Sequence, residues 1–211
     1  MKKELDYVEV LYDEKLKPFT DYPNRLSNYI FYTNNMKPND KLIELGCGRG
    51  EFLKGFSTLG LDCYGLDKSD YAKKICQNVK IFQNDITIDK IPVEDNFFDF
   101  VYSKSFIEHF YYPEIIFQEA YRVLKPGGII ITLTPEWKFI YKSFYDDFTH
   151  RVPFTKDSLH DIHKMHNFKS IEVESFIQLP KLFEKNLFSF FFKIPFFFDT
   201  NFNSRPFYNE K

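Results

Sequence analysis

The stretch "KLIELGCGRGEF", residues 41–52, decides the fold. Its first half, "KLIELG", is a short apolar run stopped by glycine, the pattern of a strand buried on both faces. Gly46, Gly48 and Gly50 follow at alternate positions, and glycine lets a backbone turn tightly and approach a ligand closely. Beyond them, "EFLKGFSTLG" (51–60) sets Phe52, Leu53 and Phe56 on one side of a helix capped by Gly60. Strand, glycine turn and helix in that order aim the helix N-terminus at whatever occupies the turn.

The alternation extends in both directions. "YPNRLSNYIFYTNN" (22–35) predicts a lead-in helix ended by Pro38. "DCYGLD" (62–67), "VKIFQND" (79–85), "FFDFVYS" (97–103), "GIIITLT" (128–134) and "SIEVESFIQL" (170–179) read as strands. Between them, "SDYAKKICQN" (69–78), "PEIIFQEAYRVL" (113–124) and "TKDSLHDIHKMHN" (155–167) read as helices opened by Ser69, Pro113 and Thr155. Strands alternating with helices imply a mostly parallel sheet with helices on both faces, a Rossmann-like three-layer α/β/α architecture. No seventh strand is read after Pro195, so the sheet is expected to lack a full seventh strand.

A chain of 211 residues fits one large domain. The main domain is expected over 1–180, with 181–211 as a Phe-rich C-terminal extension. Its core, "LFSFFFKIPFFF" (187–198), is broken by Lys193 and Pro195 and is too short for a membrane span of about 20 residues. It is expected to cover the core or to meet a second subunit in a homodimer, with contact to a membrane surface as the alternative. Lys and Arg total 28 against 30 for Asp and Glu, and the net charge of -2 supplies no basic footprint for nucleic acid. Three cysteines without metal-type spacing, and a start with no apolar run behind its lysines, fit a cytoplasmic protein.

In an open parallel sheet, ligands bind beyond the carboxyl ends of the strands, so the residue after each strand matters most. Glu44 ends the first strand before the glycine turn. Asp67 ends the second, where an acid accepts from both hydroxyls of a ribose. Asp85 ends the third, where it can accept from an adenine amino group while the Ile86 amide donates to a ring nitrogen. These positions imply a nucleoside ligand. A nicotinamide dehydrogenase is the competing reading, but its fingerprint is G-x-G-x-x-G and here the third glycine comes one residue early. Glu44 would also repel a pyrophosphate, whereas it suits a cationic sulfonium with a free amino group.

Over about residues 25 to 180 the chain resembles the class I methyltransferases that use S-adenosylmethionine, in particular the type 11 methyltransferase domain. The resemblance rests on "IELGCGRGEF", on "FFDFVYSKSFIEHF" (97–110) and on "EAYRVLKPGGIIIT" (119–132). It implies that the turn with Glu44, Gly46, Cys47, Gly48 and Gly50 wraps the methionine moiety, that Asp67 and Lys68 lie at the ribose, that Asp85 and Ile86 lie at the adenine, and that Ser103 lines the cofactor. A later segment, "DDFTHRVPFT" (146–155), resembles a motif of a bacterial subset acting on glycans or small molecules. S-adenosylmethionine as cofactor and a small-molecule or sugar acceptor follow from that resemblance.

Methyl transfer to a hydroxyl benefits from a general base within hydrogen-bond reach. His150 is the first candidate, since an imidazole accepts a proton near neutral pH. Asp147 or Asp146 would orient it or bind acceptor hydroxyls, and Arg151 would pair with an acceptor anion. His109, beside Glu108 after the fourth strand, is the other candidate. His160, His163 and His166 recur along one helix, yet no metal is expected there. The expected activity is O-methylation of a small molecule or sugar intermediate, against a nucleoside-binding protein of the same fold without turnover.

Overall fold

Five parallel strands, β1 (Lys41–Leu45), β2 (Asp62–Asp67), β3 (Lys80–Gln83), β4 (Phe98–Lys104) and β5 (Leu124–Leu133), form one sheet in the order β3-β2-β1-β4-β5. This is a computed structural model, and it describes residues 6–15, 17–176 and 196–199. The order reverses at β1, so the crevice opens between β1 and β4. Register places Leu45 beside Leu66 on one side and Ser103 on the other. The carboxyl ends of the three central strands are therefore level, and the glycine turn, Asp67 and Lys104 share one edge.

Side chains of β1 alternate between two cores. Leu42 joins Leu26, Ile30, Leu53, Phe56 and Tyr102 beneath α2 (Tyr22–Thr33) and α3 (Glu51–Thr58). Ile43 and Leu45 join Val101, Phe117 and Leu159 beneath α4 (Glu114–Val123) and, after the one-turn α5 (Trp137–Ile140), α6 (Lys156–Met165). Thr155 caps α6, with the Ser158 amide donating to its hydroxyl at 3.2 Å. The three-layer expectation is met.

Gly65 in β2 leaves room for α3 to settle on the sheet. A Cβ there would stand 2.6 Å from Leu53 Cδ1, 2.7 Å from Ile81 Cδ1 and 2.9 Å from Cys47 Sγ. Gly65→Ala is expected to cost about 1 to 3 kcal/mol of stability by overpacking, seen as a lower midpoint in thermal unfolding.

Two local expectations change. The helix read over 69–78 is only a 3₁₀ turn at Tyr71–Lys74, because this segment is drawn onto the glycine turn: Cys76 Sγ donates to the Gly50 carbonyl at 3.2 Å. Ser69 still serves its start, accepting from the Tyr71 amide at 3.0 Å. The strand read over 170–179 is described at Val173–Phe176 (β6).

A strand not read in the sequence, β7 (Phe196–Asp199), pairs antiparallel with β6 in a separate two-stranded sheet and lies beside β5 of the five-stranded one. A four-residue phenylalanine-rich run shows no alternation to separate it from an apolar tail. The rest of the Phe-rich extension lies outside the described residues.

A short N-terminal helix, α1 (Tyr7–Leu11), begins a strap that the sequence did not signal. Asp6 accepts from Ser69 Oγ at 2.5 Å, Glu9 pairs with Lys74 at 2.9 Å, and Val8 is fully buried. Farther along, Arg49 of the glycine turn donates to the carbonyls of Tyr12 at 3.2 Å and Lys17 at 2.6 Å.

Candidate active site

A cavity of about 960 Å³ opens over the carboxyl edge, lined by the glycine turn, Asp67, Lys68, Asp85, Ile86, Lys104, Phe106, His109 and the 146–149 loop. That is near the upper end of the range for small-molecule sites, about 300–1,000 Å³, and leaves space for two ligands side by side. Strand-end residues form its floor. Gly46, Gly48 and Gly50 have φ of 74°, 48° and 81°, a left-handed region costly for other residues. A Cβ on Gly48 would meet nothing within 4 Å, so the turn presents bare backbone to the cavity.

Glu44 lies beneath this turn, 2% exposed, and its Oε2 has no hydrogen-bond partner among the described residues. Burial pushes its carboxyl well above the usual range, and the Lys104 ammonium only partly opposes this. A buried carboxylate short of a partner is a receptor for a cation. Asp67 is already ordered for a diol: it accepts from the amides of Gly48 at 2.8 Å and Ser69 at 2.9 Å, and from the Tyr7 hydroxyl at 2.6 Å. Asp85 stands at the cavity rim, paired with Lys68 at 2.8 Å and accepting from the Thr87 amide and hydroxyl. Lys68 thus reaches the adenine-side acid as well as following the ribose-side one. Ile86 and Cys47 are buried walls, and Ser103 is buried with its Oγ unpartnered among the described residues. A cationic, nucleoside-bearing ligand fits this donor and acceptor set.

The opposite wall holds the proton-accepting groups. His109 lines the cavity, and the hydrogen bonds assign its tautomer: Thr149 Oγ1 donates to Asp147 Oδ1 at 2.5 Å, so His109 Nδ1 donates to Thr149 Oγ1 at 2.9 Å. The ring's lone pair is then on Nε2. Burial, helped by the neighbouring His150, lowers the His109 pKa. For Asp147, burial opposes ionisation, but the Thr149 hydroxyl and amide and the two histidines outweigh it and hold the carboxyl below its usual range.

His150, the first base candidate, is not among the residues lining the cavity. Its Nδ1 donates to the Phe144 carbonyl at 2.6 Å, and that anchor turns the ring into the wall against Phe144 and His109, with centroids 4.5 and 4.8 Å away. Asp147, expected to orient His150, reaches His109 instead through Thr149, while its Oδ2 stands 3.9 Å from His150 Nε2. Asp146 lines the cavity, and Arg151 turns back to the Phe148 and His150 carbonyls and the Tyr111 ring.

Glu108, signalled in the sequence by its place beside His109, and several residues without a sequence signal complete the site. Glu108 is fully buried beside His109; burial pushes its carboxyl up to about 7, and Oε2 accepts from Thr134 at 3.0 Å. Lys104, whose pKa burial lowers and Glu108, Glu44 and Glu51 raise, projects from the end of β4 into the cavity. Tyr7, Tyr12 and Lys17 reach the cavity from the strap. Among the helical histidines, His163 is buried with Nδ1 on the Leu159 carbonyl, and His160 is half-buried beside Asp161.

Comparison with known proteins agrees with this geometry. Residues 43–132 match the methyltransferase domain family model. A crystal structure of an S-adenosylmethionine-dependent methyltransferase from Archaeoglobus fulgidus superposes with a TM-score of 0.68 at 26% identity, covering 82% of this chain and 79% of that one. Sterol 24-C-methyltransferase of Schizosaccharomyces pombe is 29% identical over 150 residues, 65% of this chain and 37% of that protein. The mitochondrial ubiquinone biosynthesis O-methyltransferase of Mus musculus is 30% identical over 106 residues, 44% of this chain and 28% of that protein. This chain spans about a third of the length of these curated relatives. By the domain match and the sheet order, residues 43–132 resemble a class I methyltransferase domain, whose cofactor is S-adenosylmethionine.

Proposed function

We propose that the chain transfers the methyl group of S-adenosylmethionine to an oxygen of a small molecule or sugar intermediate. The observation that carries this reading is the proton-accepting wall, with His109 held by Thr149 and Asp147, facing the Glu44 and Asp67 side of one cavity. The bound cofactor supplies an activated methyl on a positively charged sulfur. Glu44 neutralises that end of the ligand, the glycine turn lies along it, and Asp67 takes the ribose hydroxyls. His109 Nε2 receives the acceptor's hydroxyl proton, while Asp147 favours the resulting cation. Phe106 and Phe110 give this corner an apolar lining.

Carbon methylation is a second reading, supported by the sterol 24-C-methyltransferase likeness and by the aromatic collar of Phe106, Phe110, Tyr111, Tyr112 and Phe148 around the acceptor side. The test is release of S-adenosylhomocysteine across an acceptor panel of sugars, phenols and sterol-like alkenes. Turnover confined to alkenes would overturn O-methylation. S-adenosylmethionine binding with no turnover on any acceptor would favour a nucleoside-binding protein.

Glu44 adds a linkage prediction. Its carboxyl is raised by burial, and a cation beside it favours the ionised form, so binding releases a proton and affinity rises with pH. Calorimetry in buffers of different ionisation enthalpy is expected to show this release, and Glu44→Gln to remove it.

A further inference from the structure

Glu108 and His109 leave the end of β4, and His150 comes from the loop after α5, yet one carboxylate oxygen and one nitrogen of each ring lie within 4.8 Å of one another. Each member is held from behind. Thr134 donates to Glu108 Oε2 at 3.0 Å, Thr149 takes His109 Nδ1–H at 2.9 Å, and the Phe144 carbonyl takes His150 Nδ1–H at 2.6 Å. The loops are also tied together, since the amides of Arg151 and Val152 both donate to the Glu108 carbonyl, at 2.8 and 3.1 Å.

These contacts leave the Nε2 lone pairs of both rings and Glu108 Oε1, which is buried and without a hydrogen-bond partner among the described residues. With Glu108 ionised, one carboxylate oxygen and one nitrogen of each ring stand close enough to face a common ion. A buried carboxylate in that position is completed by a cation.

We propose that Glu108, His109 and His150 form a binding site for a divalent first-row transition-metal ion on the acceptor side of the cavity. Two imidazoles and one carboxylate are a donor set suited to zinc, cobalt or iron in the divalent state, and less to magnesium or calcium, which prefer oxygen alone. The Phe144 carbonyl and the Thr149–Asp147 pair act as the outer contacts that fix ring orientation in such sites. Asp147 Oδ2, 3.9 Å from His150 Nε2, stands beside the site as a further oxygen. Bond lengths of about 2.0–2.2 Å require the three side chains to draw closer around the ion.

The binding site stands on this geometry alone, while its use in catalysis rests on the O-methylation reading. With an ion bound, His109 Nε2 would be a ligand and Asp147 would replace it as the base: the acceptor's hydroxyl oxygen would sit on the ion and give its proton to the Asp147 carboxylate. The oxygen's electron pair would then form the new O–C bond as the C–S bond breaks, leaving S-adenosylhomocysteine with no change in oxidation state.

The experiment titrates metal-stripped protein with Co²⁺, following visible d–d absorption and calorimetric stoichiometry, with S-adenosylmethionine affinity measured on each sample. Expected are one ion per chain, no thiolate-to-cobalt charge-transfer band, and affinity reduced about 100-fold in both Glu108→Gln and His150→Ala, with His160→Ala/His166→Ala unchanged. Lack of stoichiometric uptake overturns the site, as does uptake that survives Glu108→Gln but is lost in the His160/His166 variant. S-adenosylmethionine binding certifies that each variant is folded. Release of S-adenosylhomocysteine from hydroxyl acceptors, scored separately, tests the O-methylation reading itself.

Discussion

Asp67→Ala is expected to weaken S-adenosylmethionine binding about 100-fold, because it removes the acid at the end of β2 and with it the two charge-assisted hydrogen bonds proposed to a ribose, together about 3 kcal/mol. The loss extends beyond the ligand. Asp67 also receives the amides of Gly48 and Ser69 and the hydroxyl of Tyr7, so the alanine variant loosens the glycine turn and the strap together. Asp67→Asn separates these roles, since an amide oxygen keeps part of the scaffold bonding while the charge is gone. Calorimetry should rank wild type above Asn above Ala. Binding within threefold of wild type in the alanine variant would show that the nucleoside lies elsewhere.

The second large effect concerns turnover. His109→Ala and His150→Ala are each expected to lower kcat by about 10²-fold while leaving cofactor affinity within about threefold, the signature of groups that act on the acceptor. Their routes differ. His109 faces the cavity through the Thr149–Asp147 pair, whereas His150 supports its ring from behind at a centroid distance of 4.8 Å. Thr149→Val, which keeps the shape and removes the hydroxyl, is therefore expected to reproduce part of the His109 loss and none of the Asp67 loss. Unchanged kcat in both histidine variants would remove this wall from the mechanism.

Which parts of this were legible follows from how local each signal is. The "KLIELGCGRGEF" stretch contains its strand, its turn and its helix in twelve consecutive residues, and the positive φ values of Gly46, Gly48 and Gly50 are what its glycines promise. Asp67 and Asp85 were readable because a strand end is a position in a pattern. The acceptor wall was readable only in pieces. "SFIEHF" and "DDFTHR" each announced a histidine, but that Asp147 would serve His109 rather than His150 depends on two loops meeting across 40 positions. Nothing in either segment encodes that pairing by itself. Glu108 was placed near the crevice by its position after β4, but its full burial, with the 151–152 backbone closing over it, depends on a distant loop. The strap escaped notice for a different reason: five residues of helix give too few turns for periodicity, and its binding energy is entirely tertiary.

The Tyr7 hydroxyl on Asp67 gives that strap a bearing on timing. If Asp67 takes the ribose as proposed, a ribose hydroxyl reaching Oδ1 would have to displace the Tyr7 hydroxyl that now occupies it. Product residence then depends on how often α1 lifts from Ser69 and Lys74, contacts that are polar and partly solvent-exposed. The slow step of a catalytic cycle would then sit in the motion of the strap, and salt, which weakens the Glu9–Lys74 pair, would speed release.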